Sequence, residues 1–184
     1  MDRPDNVLVA EALRGRLESF DEIMRRHERI VYRVAFLYGG SRESALDISQ
    51  NAFIKAYQAL RSFRGESSFR TWLLRIVENE GLGWARSQAR RDRQLEPVPV
   101  EPAAPAAQEV RLLSRERRRI LDRKIAELNP RQRLAVTLRY FRQMPLSEIA
   151  GVLQCSENHV KNVLFRSVRK LRQSLAGSGL EECP

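Results

Sequence analysis

Leu146-Ser147-Glu148-Ile149-Ala150-Gly151-Val152-Leu153-Gln154-Cys155-Ser156-Glu157-Asn158-His159-Val160-Lys161-Asn162-Val163-Leu164-Phe165-Arg166 decides the architecture. Leu146, Ile149, Ala150 and Leu153 are related by steps of three and four, so they make the inner face of a helix that begins near Pro145. Gln154-Cys155 reads as the turn, and Ser156 is placed to cap a last helix whose inner face is Val160, Val163, Leu164, Val168 and Leu171. Two helices joined by a short turn, the second long and basic, describe a helix-turn-helix. Its outward residues are Asn158, His159, Lys161, Asn162, Phe165, Arg166, Arg169 and Lys170. Lys and Arg neutralise phosphates, Asn162 has the fork that pairs with adenine in a major groove, and His159 stands where such helices make base contacts.

Working back towards the N-terminus, Leu112 to Leu128 reads as a basic helix, followed by Asn129-Pro130, an N-cap with proline at the first helical position. Before it, Pro97 to Ala107 holds four of the eight prolines and a single charge. Proline lacks an amide proton and biases its predecessor away from helix, so this Pro/Ala-rich stretch is expected to be a semi-extended, flexible linker between two compact units. In the first unit, Leu17, Phe20, Ile23, Met24, His27, Ile30, Val31, Val34 and Tyr38 trace a long amphipathic helix ended by Gly39-Gly40. Ser41 caps a second, with Ala45, Ile48, Ala52, Ala56 and Leu60 inward and Asp47, Gln50, Asn51 and Lys55 outward. A loop at Phe63 to Ser68 leads into a third helix through Phe69, Trp72, Leu73, Ile76 and Trp84, which ends in Arg86, Arg90, Arg91 and Arg93. Gly81 and Gly83 fall inside that helix, where each costs about 1 kcal/mol relative to alanine. Strand alternation is absent, and the expected fold is all-α: two small helical domains joined by the linker.

Composition narrows the function. Lys plus Arg at 33 against Asp plus Glu at 23 leave a net charge of +10, which points to a polyanionic partner. Cys155 and Cys183 are too few for a disulfide framework, and with no CxxC and two histidines no structural metal is expected. No apolar run reaches the ~20 residues of a membrane span, and the start MDRPDN has no signal-peptide core, so a reduced, cytosolic protein without membrane insertion is expected. There is no GxSxG, no HExxH and no phosphate loop, so no catalytic residue and no cofactor is assigned. His27 lies on the apolar seam of its helix and reads as a satisfied core histidine. The loop at Phe63 to Phe69 with Trp72 joins aromatics to arginines, as single-stranded nucleic acid requires, although Phe69 and Trp72 also suit a core.

Asp47-Ile48-Ser49-Gln50-Asn51-Ala52-Phe53-Ile54-Lys55-Ala56-Tyr57 and Ser62-Phe63-Arg64-Gly65-Glu66-Ser67-Ser68-Phe69-Arg70-Thr71-Trp72-Leu73 resemble the second conserved region of extracytoplasmic-function (ECF) sigma factors of bacterial RNA polymerase. Leu128-Asn129-Pro130, Leu146 to Ala150 and Val160-Lys161 resemble their fourth. The resemblance covers nearly the whole chain in the family's order.

It implies a sigma-2-like domain over residues 1–95, a linker over 96–110, a sigma-4-like helix-turn-helix domain over 111–176 and a frayed tail over 177–184. By position, Asp47, Gln50, Asn51, Phe53 and Lys55 are expected to bind core RNA polymerase. Phe63, Arg64, Gly65, Glu66, Ser67 and Ser68, with Asn79, are expected to capture a flipped base of the −10 strand. His159, Lys161, Asn162, Phe165 and Arg166 are expected to read the −35 element. The resemblance therefore implies an alternative sigma factor, not an enzyme, that directs promoter-specific initiation of a stress-response regulon. It further implies an anti-sigma factor anchored in the membrane, and a cytoplasmic location, nucleoid-associated when active and held at the inner membrane when not. The alternative is a conventional helix-turn-helix regulator that binds duplex DNA without joining polymerase. That reading leaves the loop at Phe63 to Phe69 and the face with Asp47 and Gln50 unexplained.

Overall fold

The computed structural model describes residues 3–92, 120–121 and 123–176. The expected linker, the tail from residue 177 and Cys183 lie outside these residues, as does most of the expected helix from Leu112 to Leu128. Among the described residues there is no strand, and no helix is long and apolar enough to cross a membrane.

Four long segments build the first half: α1 (Asp5–Leu13), α2 (Leu17–Gly39), α3 (Arg42–Gln58) and α4 (Phe69–Asp92), with a 3-10 turn at Leu60–Ser62. The apolar seam read from the sequence buries Phe20, Ile23, Val31, Val34 and Tyr38 of α2 against Ala45, Ile48, Ala52 and Ala56 of α3 and Leu73, Leu74 and Val77 of α4. Burial of a large aliphatic side chain contributes about 1.5–3 kcal/mol, so this three-helix seam is the main source of cohesion in the half. Gly40 stops α2 because its φ of 70° is left-handed, a conformation glycine adopts without a Cβ clash. Ser41 Oγ then accepts from Ser44 N and starts α3.

The first helix, α1, has no counterpart in the sequence reading. Its apolar residues Leu8 and Val9 are adjacent, so both sides of the helix are not separated into a stripe, yet both are buried. Carboxylates fasten it to α2. Glu11 accepts from Ser19 Oγ at 2.6 Å and from Arg3 Nη1 at 2.6 Å, and the hydrogen bond from Ser19 is the main reason its carboxyl is held below the usual range. Asp5 Oδ2 lies 2.8 Å from His27 Nε2, so the buried His27 has a partner inside the fold, in keeping with the core reading.

The second half contains residues 123–126 in helical conformation, α5 (Pro130–Val136), a π-turn at Thr137–Phe141, α6 (Leu146–Leu153) and α7 (Glu157–Leu175). Asn129 and Gln132 form a complete capping box: Asn129 Oδ1 accepts from Gln132 N while Gln132 Oε1 accepts from Asn129 N. Leu134, Leu138, Met144, Ile149, Leu153, Val160 and Leu164 make the core. Gln154, at φ 51°, takes the left-handed turn that sets α7 across α6.

The halves do not stand apart. Helix α4 packs directly on α6, and α2 touches α5. Within the first half, a Cβ on Gly81 would lie 2.3 Å from Tyr38 Cγ, so α2 and α4 cross at a distance only glycine permits. Nothing lies within 4 Å of a Cβ built on Gly83, and nothing in the structure explains that glycine.

Candidate nucleic-acid interface

The outer face of α7 is fixed by its start and its inner face. Ser156 Oγ accepts from His159 N at 3.3 Å, and Val160, Leu164, Ser167 and Leu171 turn inward. Ser167, which the apolar pattern does not contain, is fully buried because its hydroxyl donates to Val163 O at 2.6 Å. His159, Lys161, Asn162, Phe165 and Arg166 are all exposed, Phe165 to 69%. An aromatic held that far into solvent gains nothing from the core, and with the cations around it forms a surface for a planar, anionic partner. Lys170 differs from the others: its Nζ donates to Glu127 O at 2.9 Å and ties α7 to the turn before α5.

A second element is the loop before α4. Phe63, Phe69 and Trp72 form one aromatic cluster with centroids 5.3–5.6 Å apart. Phe69 is buried while Phe63 and Trp72 are half-exposed, so the core reading holds for Phe69 and the other two remain partly open to solvent. Ser68 Oγ caps α4 by accepting from Thr71 N at 3.1 Å. Phe63, Arg64, Glu66, Ser67 and Ser68 line a cavity of about 540 Å³ together with Trp72 and Arg75. Gly65 supplies the bend with φ 73° and does not line the cavity, nor does Asn79, which is exposed one turn beyond Arg75 on α4.

The far wall of that cavity comes from the other half: Ser147, Glu148 and Gly151 of α6. Arg70 Nη2 donates to Glu148 Oε2 at 2.8 Å, and Arg75 Nε donates to Gly151 O at 2.9 Å. Deeper in, Arg131 of α5 reaches Glu78 of α4 at 3.4 Å and Leu153 O at 3.3 Å. Glu78 is 1% exposed; burial pushes its carboxyl up, opposed by Arg131 and Arg75. Its Oε2 and the neighbouring Tyr38 hydroxyl have no hydrogen-bond partner among the described residues, and burial, then the Glu78 charge, push the Tyr38 phenol up as well.

The third element is the outward face of α3. Asp47, Gln50 and Asn51 are exposed and share a polar cavity of about 280 Å³ with Trp84, Ser87, Gln88 and Arg91 of α4. Lys55 is exposed but paired, 2.5 Å from Glu80. Phe53 does not join this surface, since it is buried at 8% exposure among the core residues. In its place the structure exposes Leu46, Ile54 and Tyr57, an apolar edge on the same helix.

Three separate surfaces, an exposed basic reading helix, an aromatic loop and a polar-apolar helix face, thus occur in one small chain. The Sigma-70 region 2 family model matches residues 23–91, and the Sigma-70 region 4 model matches residues 125–173. The ECF RNA polymerase sigma-E factor of Escherichia coli K12 is 34% identical over 172 residues, covering 89% of this chain and 90% of the relative. The chain belongs to the ECF family of RNA polymerase sigma factors. The sigma-H factor of Pseudomonas aeruginosa is 29% identical over 180 residues and 93% of each chain. Among solved structures, CnrH in complex with the cytosolic domain of CnrY aligns with a TM-score of 0.71 at 23% identity, over 95% of this chain and 99% of that one. The sigma factor RpoE of Bartonella quintana, solved with the anti-sigma factor NepR, aligns with a TM-score of 0.66 at 19% identity, over 87% and 98%. As an ECF sigma factor the chain is an alternative initiation factor, not an enzyme, and its partners are core RNA polymerase and promoter DNA.

Sequence reasoning missed the α6 wall of the loop cavity. Glu148 and Arg70 are 78 residues apart, and in the sequence each is one more charge on its own helix. No local pattern pairs them. Glu78 was equally hidden, because one buried carboxylate on a charged helix leaves no mark on periodicity.

Proposed function

We propose that the three surfaces divide the work of this ECF sigma factor as the family order suggests. Residues 1–95 form the unit that grips polymerase and opens DNA, 111–176 the unit that reads the upstream element, and 96–110 the connection. Asp47, Gln50 and Asn51, with the apolar edge of Leu46, Ile54 and Tyr57, dock core RNA polymerase; Lys55 contributes through its pair with Glu80, and Phe53 supports the helix from inside. Phe63, Arg64, Glu66, Ser67 and Ser68 hold a flipped −10 base, with Gly65 shaping the bend and Asn79 touching the strand further along. His159, Lys161, Asn162, Phe165 and Arg166 read the −35 element.

The observation that carries this reading is the exposure of Phe165 amid Lys161 and Arg166, on a helix whose other face is fully committed to the core. Extruding a base costs a few kcal/mol, which a fitted pocket and cationic track offset without ATP. Anti-sigma control is also part of the proposal. One similar fold, RpoE of Bartonella quintana, was solved bound to the anti-sigma factor NepR, another, CnrH, with the cytosolic domain of CnrY, and in this chain α4 packs on α6, so the halves fit together. A membrane anchor on that regulator would hold the protein at the inner membrane until a stress signal frees it to act in the cytoplasm at the nucleoid. Photo-crosslinking tests the residue roles: a benzoylphenylalanine at position 50, 66 or 162 of the holoenzyme on promoter DNA is expected to label polymerase, the −10 strand and the −35 duplex respectively. Labelling of duplex DNA alone from all three positions would overturn the assignment.

A further inference from the structure

A cavity of about 630 Å³ opens between α2, the start of α4 and the segment after the π-turn. Five arginines line it: Arg26, Arg29 and Arg33 on successive turns of α2, Arg70 on α4, and Arg142 beyond the π-turn. Two of them are answered by carboxylates. Arg26 is paired with Asp5 and Glu22, and Arg70 with Glu148. Arg29, Arg33 and Arg142 have no acidic partner among the described residues. Arg142 bears the largest cost: its Nε and Nη2 are buried without a hydrogen-bond partner among the described residues. Burial, and then the like charges of Arg33, Arg29 and Arg70, hold its guanidinium below the usual arginine range, although it remains a cation.

Packing α6 on α4 therefore brings like charges from both halves together and desolvates one of them, which opposes the closed arrangement. A multivalent anion removes both penalties at once. Guanidinium forks match the oxygens of phosphate bidentately, and three unanswered forks, Arg29 and Arg33 from α2 and Arg142 from the segment beyond the π-turn, suit more than a single phosphate group. The aliphatic face of Ile30 and the ring of Phe141 leave room for an apolar or planar appendage. We infer that this cavity binds a condensed phosphate chain, free or carried on a nucleoside, and that the bound anion bridges the two halves. Because Arg142 belongs to one half and Arg29, Arg33 and Arg70 to the other, the site is complete only when the halves are packed. By linkage the anion favours that state and weakens any partner that needs the halves apart; this last consequence alone rests on the proposed sigma-factor roles.

Isothermal titration of the full chain with sodium tripolyphosphate, at ionic strength held constant with chloride, tests the site. The expected result is saturable one-to-one binding, at least tenfold tighter than inorganic phosphate. Arg33→Ala and Arg142→Ala should each weaken it at least tenfold, and Arg90→Ala, at an exposed arginine of α4 outside the cavity lining, should leave it unchanged. Arg29 and Arg33 are exposed, so Arg29→Ala serves as a second variant that keeps the fold should Arg142→Ala lose it. ATP binding more tightly than tripolyphosphate assigns the nucleoside-borne form, and weaker binding assigns the free chain. Binding that survives Arg29→Ala and Arg33→Ala but falls with Arg90→Ala, or that shows several equivalents without saturation, would overturn the site in favour of diffuse attraction to the basic surface.

Discussion

Arg70, in the first turn of α4, donates to Glu148 Oε2 of α6 at 2.8 Å, and Thr71 Oγ1 approaches the same oxygen at 3.5 Å. A carboxylate from the second half thus lies against the loop cavity of the first, where a strand phosphate would find the same cation. On the proposed −10 role of the loop, the closed packing and single-strand capture compete for one place.

Glu148→Ala should release that competition. The pair is about a third exposed on each side, so its worth is discounted to about 0.5–1 kcal/mol. Binding of a single-stranded −10 oligonucleotide, followed by fluorescence anisotropy, should tighten by about two- to fivefold. The radius of gyration in solution should rise with it. Unchanged affinity and unchanged size would show that the contact does not gate the cavity.

Glu78 gives the protein a pH signature. Its carboxyl is pushed up in the folded state, so the folded protein holds a proton over a range where the unfolded chain has released it. Stability therefore falls as pH rises from the ordinary glutamate range through the raised value. Glu78→Gln removes the buried charge, and its Tm should exceed that of the parent by about 2–4 °C at pH 7, with the gap closing towards pH 4. A lower Tm at pH 7 would mean that the Arg131 pair outweighs the cost of burial.

Gly81 and Gly83 should respond to alanine in opposite directions. Gly81→Ala drives a methyl into the Tyr38 ring and should destabilise by about 1–3 kcal/mol, whereas Gly83→Ala meets open space and should stabilise by about 1 kcal/mol. Urea unfolding of the two variants decides it, and a shift of the same sign in both would mean that the α2–α4 crossing relaxes.

Lys161→Ala with Arg166→Ala should weaken promoter binding and flatten its salt dependence by about one unit of slope per lost phosphate contact. Lys170, held by Glu127 O, should contribute less than either. An unchanged slope would remove phosphate contacts from that face.

Most of the helical framework was legible because its signals are local. Ser41, Asn129 and Ser156 each cap the helix that the sequence assigns to them, and the seam from Phe20 to Tyr38 is buried as its spacing requires. The outward residues of α7 followed from the same period. What periodicity could not carry was contact between distant segments. Phe53 shows the converse limit: a family position suggested a surface role, while the step from Ile48 and Ala52 turns its ring inward. Helix α1 escaped because its adjacent Leu8 and Val9 do not form a stripe, and its hold on α2 runs through Glu11, Asp5 and Arg3.

The central claim is that the α3 face joins this chain to core RNA polymerase, and co-elution of the purified full-length protein with core enzyme on size exclusion, without DNA, tests it most directly. The account predicts a stable complex that initiates discrete transcripts on sheared genomic DNA, and a loss of at least tenfold in affinity for Asp47→Ala with Gln50→Ala while the helical fold is retained. Failure of the parent protein to co-elute, or full binding by the double variant, would contradict it.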